Sequence, residues 1–406
     1  LIVAGQFNMI GGTPANNIAA WDGNSWTALG SGVNGIVRAL SVHNGILYAG
    51  GQFTTAGSIN NANHIAAWNG SSWTGLDGGV SAPGGAYVTA LLSTANGLVA
   101  GGIFQQAGMT SPLATRNIAL WNGISWSQNF NSSPNLFDGP IYTLREYQGQ
   151  LYAAGTFTTP FLNTARWNGS NWNPNGGGIN LFNQINYNGV EAQYVYNGDL
   201  IVGGHFRNAD NLPATQHIAS WNGSTWQAMA GSNMPDTTDA IHDFIQFNNK
   251  LYAGGAINQM GSQLLNGVGE WDGSAWSSTG HPKQLIHALA NYDSCGAISC
   301  NLYSGGEGSF NRWICLTSTE DAREKMEFIL RPNPARDRLQ LVFGNAKPGP
   351  DAAIRLFNVD GKVHHVEVVN TGESMELDVS GLPPGLYVLE YRDGRHQPVV
   401  RRFSKM

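Results

Sequence analysis

Trp68-Asn69-Gly70-Ser71-Ser72-Trp73 is one of six copies of the phrase Trp-(Asn/Asp)-Gly-x-x-Trp, and the spacing of the copies decides the fold. The others open at Trp21, Trp121, Trp167, Trp221 and Trp271, so successive copies lie 47, 53, 46, 54 and 50 residues apart. That period suits a four-stranded propeller blade and is too long for a leucine-rich or ankyrin unit.

A second phrase keeps step with the first. Leu47-Tyr-Ala-Gly-Gly51 has counterparts opening at Leu1, Leu98, Leu151, Leu200, Leu251 and Leu302, each a short apolar run ending in glycine. Such a run reads as a buried strand whose end needs a bulge or a close backbone approach. Around it a blade reads as strand A (Val37 to Val42), strand B (Leu47 to Gly51), strand C (Ile65 to Trp68) and strand D (Ser72 to Leu76). Asn44-Gly45 between A and B, and Asn69-Gly70 between C and D, predict tight type I′ hairpins. The B to C and D to A connections are long and emerge on the opposite face.

The count of strands predicts seven blades. The chain opens inside strand B of the first, whereas the seventh shows strands A (Ile286 to Tyr292), B (Leu302 to Gly306) and C (Arg312 to Leu316) without a strand D. The sequence is therefore expected to be truncated at its N-terminus. The missing segment would supply the outer strand of blade seven and the inner strand of blade one.

A Gly-Gly end to strand B, an aromatic on strand C and a Trp on strand D resemble kelch-type blades. The closer resemblance is to the kelch-like repeats of the galactose-oxidase central-domain superfamily and of fungal cortical-marker proteins, over roughly residues 1–316. Trp replaces the usual Tyr on strand C, and Asn69 stands one residue out of register with a sialidase Asp-box. The resemblance implies an all-β propeller and carries no chemistry by itself.

Charge changes abruptly near the end of the repeats. Residues 1–325 hold 10 Lys or Arg and 17 Asp or Glu, against 11 and 10 in residues 326–406. Residues 317–327 read as an exposed linker, and 328–406 as a small immunoglobulin-like β-sandwich of short alternating strands. Its blocks are Pro332-Asn333-Pro334, a Leu-Phe-Asn run with Gly361, and Gly381-Leu382-Pro383-Pro384-Gly385-Leu386-Tyr387. In that order they resemble the type A C-terminal sorting domain of type IX secretion cargo. The resemblance implies a Bacteroidota protein that meets the type IX machinery through this domain and is secreted or held on the outer-membrane surface.

Other bounds agree. No apolar run approaches the ~20 residues of a membrane-spanning helix. The formal net charge is -6 without a basic stripe, which excludes nucleic acid as a natural partner. Cys295 and Cys300 flank one turn and are expected to form a disulfide in an oxidising compartment, leaving Cys315 as a buried thiol.

The tryptophans fall at repeat positions and read as blade core. So does the Asn or His four residues before the strand C Trp (Asn17, His64, Asn117, Asn163, His217), which points to a shared backbone hydrogen bond. The second residue of strand A behaves differently: Arg38, Thr89, Tyr142, Glu191, His242 and His287. It is polar in every blade and lies on the innermost strand. These side chains form either a site at the channel mouth or a set of inter-blade hydrogen bonds. No metal-ligand motif and no cofactor motif is present.

Aromatics in the long loops have no repeat duty. Phe130, Phe137, Phe161, Phe182 and Tyr187, with Arg207, Asp210, Asp236 and Asp239, outline a ligand-binding surface, or else the rings pin the loops down. The reading is a secreted or cell-surface binding or adhesion module for a glycan or protein. The alternative is an extracellular lyase or hydrolase using Arg38, Tyr142, Glu191, His242 and His287 at the channel mouth. Sequencing of the upstream reading frame checks the truncation: it should encode a Trp-containing strand and then a Val-x-Ala-Leu-like strand, whereas further complete blades would end the seven-blade count.

Overall fold

The computed structural model describes residues 1–22, 25–127, 130, 137–159, 161–182, 189–232, 234–279, 285–293, 300–306, 309–313, 328–343, 352–358, 363–364, 366–370, 374–392 and 399–406. It is all-β. A short 3-10 turn at Pro213–Thr215 is the one helical element among these residues. Contacts divide the chain into a unit of Leu1–Tyr292 with Leu302–Arg312 and a unit of Asp293–Asn301 with Trp313–Met406.

The first unit is a series of antiparallel meanders. Repeat two runs Val37–His43, Ile46–Gly51, Ile65–Trp68 and Trp73–Gly75 in consecutive order. Repeats three to six have the same four-strand order, with first strands Tyr87–Thr94, Ile141–Tyr147, Val190–Tyr196 and Ala240–Phe247. The sheets at either end have three strands, Ile2–Ala4, Ile18–Trp21 and Trp26–Ala28 at one end, Ile286–Asp293, Cys300–Gly306 and Ser309–Trp313 at the other. The last of these begins three residues earlier than the expected Arg312. First strands of neighbouring repeats pack side by side.

The two Asn-Gly turns differ, although they are spelled alike. Asn44 and Gly45 take φ 49° and 76°, and His43 pairs with Ile46, which is the expected type I′ hairpin. The C to D connection corrects the expectation. Trp68 pairs directly with Trp73, leaving four residues in the loop. The Asn69 carboxamide oxygen accepts the backbone N–H groups of Ser71 and Ser72 at 3.0 and 2.9 Å. This side chain closes the loop as an Asx turn, and a carboxylate serves equally: Asp272 accepts from Ser274 and Ala275 at 2.7 and 2.8 Å.

That loop sets the two indoles against each other across the hairpin, with ring centroids 5.3 Å apart and planes tilted by 50° for Trp68 and Trp73. In three copies the second indole then reaches the preceding repeat. Trp73 Nε1 donates to the Leu29 carbonyl at 2.8 Å, Trp126 to Leu76 at 2.9 Å and Trp226 to Asn175 at 2.8 Å. Each acceptor lies three residues beyond the second Trp of the preceding repeat. Tyr147 and Tyr196 repeat the device elsewhere, their hydroxyls donating to Gly198 and Asn249 carbonyls of the following repeat.

In the second unit, Phe328–Arg331, Arg338–Phe343, Ser374–Asp378 and Val368–Asn370 form one sheet. Ala353–Asn358, Val363–His364, Gly385–Arg392 and Val399–Lys405 form the other. Leu339, Leu341, Leu377, Leu389, Tyr391 and Phe403 fill the shared core. The expected linker 317–327 lies outside the described residues.

The Gly-Gly pair ending strand B has two separate duties. A Cβ on Gly101 would meet Ile141 Cγ2 of the next repeat at 2.8 Å, a side-chain collision, whereas one on Gly102 would meet the Tyr87 carbonyl oxygen at 2.2 Å, a backbone collision. Side chains yield more easily than backbone, and repeat four carries Ala154 where repeat three has Gly101. Gly101→Ala is therefore expected to cost about 1 kcal/mol and Gly102→Ala about 3 kcal/mol or more. Urea denaturation measures both, and equal costs would contradict the assignment of duties.

Candidate functional site

The polar side chains of strand A share a structural position that the sequence does not spell out. In five repeats the register between strands A and B slips at one residue, between Val37 and Ala39, Val88 and Ala90, Ile141 and Thr143, Val190 and Ala192, and Ile241 and Asp243. Arg38, Thr89, Tyr142, Glu191 and His242 are thus each the extra residue of a β-bulge. A bulge leaves its residue unpaired and re-aims the side chain, which frees these groups from the sheet face.

The bulges bring several candidates together. Glu191 Oε2 lies 2.7 Å from His242 Nδ1. The His242 and His287 rings stand 5.6 Å apart and 35° from parallel. Burial pushes the Tyr142 hydroxyl up to about 12, with Tyr87 and Glu191 adding to the rise and Arg38 opposing it. Arg38 lies 5.6 Å from the Tyr87 ring centroid, with Nη2 3.3 Å from Gln52 Oε1. Thr89 instead donates to the Ile141 carbonyl, bonding across repeats. That contact is of the inter-blade kind expected for these positions.

Sequence reasoning missed Asp243. It follows the bulge, where Ala39, Ala90 and Ala192 stand in other repeats, and that substitution was the available signal. Its carboxylate accepts from Phe244 N and, across the repeat boundary, from Leu289 N, both at 2.8 Å. Enclosure nevertheless raises it to about 6 against these bonds. Among the described residues no three His, Cys, Asp or Glu side chains converge as a metal-ligand set.

On the long-loop side, a cavity of about 660 Å³ opens between repeats four and five. Asp138, Thr156, Phe157, Thr158, Leu162 and Asn163 come from the loops around repeat four, with Asn180 and Leu181 from the connection to repeat five. Arg207, Asn208, Asn211 and Pro213 come from the B to C loop of repeat five. Asp138 is tied down by Thr158 N and Thr159 N at 2.7 and 2.9 Å and by the Thr158 hydroxyl at 2.5 Å. Burial alone would raise its pKa, but these bonds outweigh it and hold the group below its ordinary value.

Of the loop residues expected to meet ligand, Arg207 lines this cavity. Phe130 and Phe137 do not remain available. They are 7% and 1% exposed and pack on the next repeat's indoles, at 5.6 Å from Trp167 and 4.9 Å from Trp172 respectively. These two rings therefore complete the core. Phe161 packs against the same cluster, and Phe182 rests 4.9 and 5.3 Å from the His205 and His217 rings. The aspartates tie loops: Asp210 accepts from Gly177 N, Asp236 from Thr238 N and Oγ1, and buried Asp239 from Asn258 N and Nδ2. Tyr187, Cys295 and Gly361 lie outside the described residues, as does the Cys295–Cys300 pairing.

In the second unit, Asn333 Oδ1 accepts from Ser404 N at 3.0 Å, while Ala335 bonds Ser404 O and Met406 N. The Pro332-Asn333-Pro334 block thereby holds the final strand. The Tyr387 hydroxyl donates to the Pro383 carbonyl at 2.9 Å, locking the Gly-Leu-Pro-Pro-Gly-Leu-Tyr corner. Residues 330–404 match the family described as the secretion system C-terminal sorting domain.

The C-terminal unit carries a secretion-system sorting domain. Such a domain marks proteins exported by type IX secretion to the cell surface or the extracellular space, and this chain is one. No helix among the described residues is long and apolar enough to cross a membrane. No curated protein matches the chain. Among solved structures it is similar to PorZ, a surface component of the type IX secretion system of Porphyromonas gingivalis, with 14% identity and a TM-score of 0.45. That match covers 96% of this chain and 55% of PorZ. The extracellular domain of a hybrid two-component system of B. thetaiotaomicron is similar at 10% identity and a TM-score of 0.42, covering 92% of this chain and 55% of that one. The chain thus spans about half the length of these two structures.

The repeated Asn or His position is structural. Asn17, Asn117, Asn163 and His217 take φ 65°, 65°, 58° and 63°, and the three asparagines each accept a backbone N–H and donate to a carbonyl near the next repeat. His217 substitutes an imidazole, fully buried between the carbonyls of Gly204 and Asp236. Burial, reinforced by His205, lowers it to about 4, against the raising effect of those carbonyls. The unfolded chain then binds this proton first, so the contribution is complete above pH 6.5 and is lost as pH falls towards 4. The loss amounts to about 3 kcal/mol. His217→Asn, installing the residue of the other repeats, should remove that share, as chemical denaturation at pH 7.5 and pH 4.5 would show.

Proposed function

We propose that the exported chain is a surface binding module whose repeats close into a seven-bladed propeller, with a glycan-binding groove between repeats four and five. The domain division proposed is 1–316 for the propeller, 317–327 for the linker and 328–406 for the sorting domain. The side-by-side packing of first strands in successive repeats supports closure.

The groove is the observation that carries the binding reading. Its volume falls within the range of small-molecule sites. Asn180 Nδ2 donates to Asn208 Oδ1 at 2.9 Å and to Asn211 Oδ1 at 3.3 Å, which orients three amides along one wall. Amides offer both donors and acceptors to sugar hydroxyls, while Leu162, Leu181 and Pro213 supply apolar surface for the C–H faces. A protein ligand would be expected to seek a larger and flatter apolar patch.

One observation favours the enzymatic alternative. The Glu191–His242 hydrogen bond is the carboxylate–imidazole arrangement that orients a general base. It would serve a lyase or hydrolase acting at the bulge ring, with Tyr142, His287 and Arg38 nearby.

A glycan array probed with the full chain tests the primary reading. A defined saccharide should bind, and Asn211→Ala should weaken it by about tenfold, the loss of one to two hydrogen bonds. A blank array alongside turnover of a polysaccharide that His242→Ala abolishes would transfer the assignment to the ring.

A further inference from the structure

We propose that the groove takes an anionic saccharide and that Arg207 holds its acid group. The inference rests on the groove reading above and adds the class of sugar. Arg207 is exposed on the groove wall and takes part in no ion pair among the described residues. The pairs there are Glu191–His242, Lys250–Glu270 and Arg338–Glu376.

Two other arginines of the repeats have occupations. Arg38 lies over Tyr87 and meets Gln52, and Arg145 lies over Tyr194 and donates to the Gln193 carbonyl. Two carboxylates of the surrounding loops hold backbone and hydroxyl partners. Asp210 in its own loop turns to Gly177 N, and Asp138 on the groove wall accepts three bonds from Thr158 and Thr159.

Arg207 therefore offers a planar guanidinium with five donors to whatever enters the groove. This fork matches a carboxylate or sulfate oxygen pair. Asp138 stays ionised and repels an anion, so the acid group belongs on Arg207. The amides of Asn208 and Asn211, held through Asn180, then meet the neighbouring hydroxyls.

Binding of the full chain to immobilised polymers tests this, with matched acidic and neutral probes. Polygalacturonate and its methyl ester form one pair, dextran sulfate and dextran the other. At least one acidic polymer should bind about tenfold more tightly than its neutral partner. The pair that responds identifies carboxylate or sulfate as the source of charge. Arg207→Ala should remove that margin with an unchanged thermal transition, Arg207→Lys should restore part, and added salt should weaken the acidic arm.

Equal binding of acidic and neutral polymers, unaffected by Arg207→Ala, would overturn the anionic class and leave the groove reading standing. Acidic binding that survives Arg207→Ala but is lost in Asn211→Ala would overturn the role of Arg207 alone. Acidic binding lost only in Arg38→Ala would move the site to the bulge ring and overturn both.

Discussion

The rest of the repeat architecture depends on an indole pair held across a four-residue hairpin. Its centroids stay within 5.0 to 5.5 Å in all six copies. Aromatic pairs of this geometry contribute about 0.5–1.5 kcal/mol beyond the area they bury. The pair also cannot pack without its loop, because the Asx turn sets the distance between the two strands. From there the second indole extends a hydrogen bond into the preceding repeat, at Leu29, Leu76 and Asn175. One phrase of six residues thus closes a hairpin, fills a core and joins two sheets.

A scaffold joined in this way can carry irregularity where function needs it. The bulged residues of the first strands vary in chemistry and the loops around the groove depart from the repeat, but they do so between sheets whose spacing is already set by indoles, tyrosine hydroxyls and glycine contacts. Arg38, Tyr142, Glu191 and His242 differ chemically because a bulged residue has no ladder partner to satisfy. Arg207 differs from its loop neighbours for a related reason. Asp210 and Asp138 use their charge to hold backbone, and Arg207 has no such duty.

The period and the strand order were legible because Trp, Gly and Leu recur at positions where burial leaves no alternative. The two Asn-Gly turns were not separable, since the same dipeptide serves a type I′ turn when two residues connect the strands and an Asx turn when four do. That difference is set by the pairing of Trp68 with Trp73. Phe130 and Phe137 misled for a tertiary reason: they are outside the repeat in sequence and inside the next repeat's core in space. The polar position was visible as a column of residues, but its bulges were not, because a slip in register belongs to two strands at once. Arg207 was readable as a loop cation, while the amides beside it were hidden among many other asparagines.

The sorting domain follows a different logic, in which the motif blocks act through the fold and not as a linear address. Asn333 and Ala335 lie some seventy residues before the strand they bond, and their contacts to Ser404 and Met406 make the chain end part of the sheet. Phe403 on that strand is 1% exposed in the shared core. The Tyr387 hydroxyl fixes the corner leading into the strand that pairs with it. Removing the last residues would therefore expose the core and free the Pro332-Asn333-Pro334 loop together. Export machinery that handles this unit is presented with a folded surface whose integrity requires the strand Val399–Lys405 and the few hydrogen bonds that hold it.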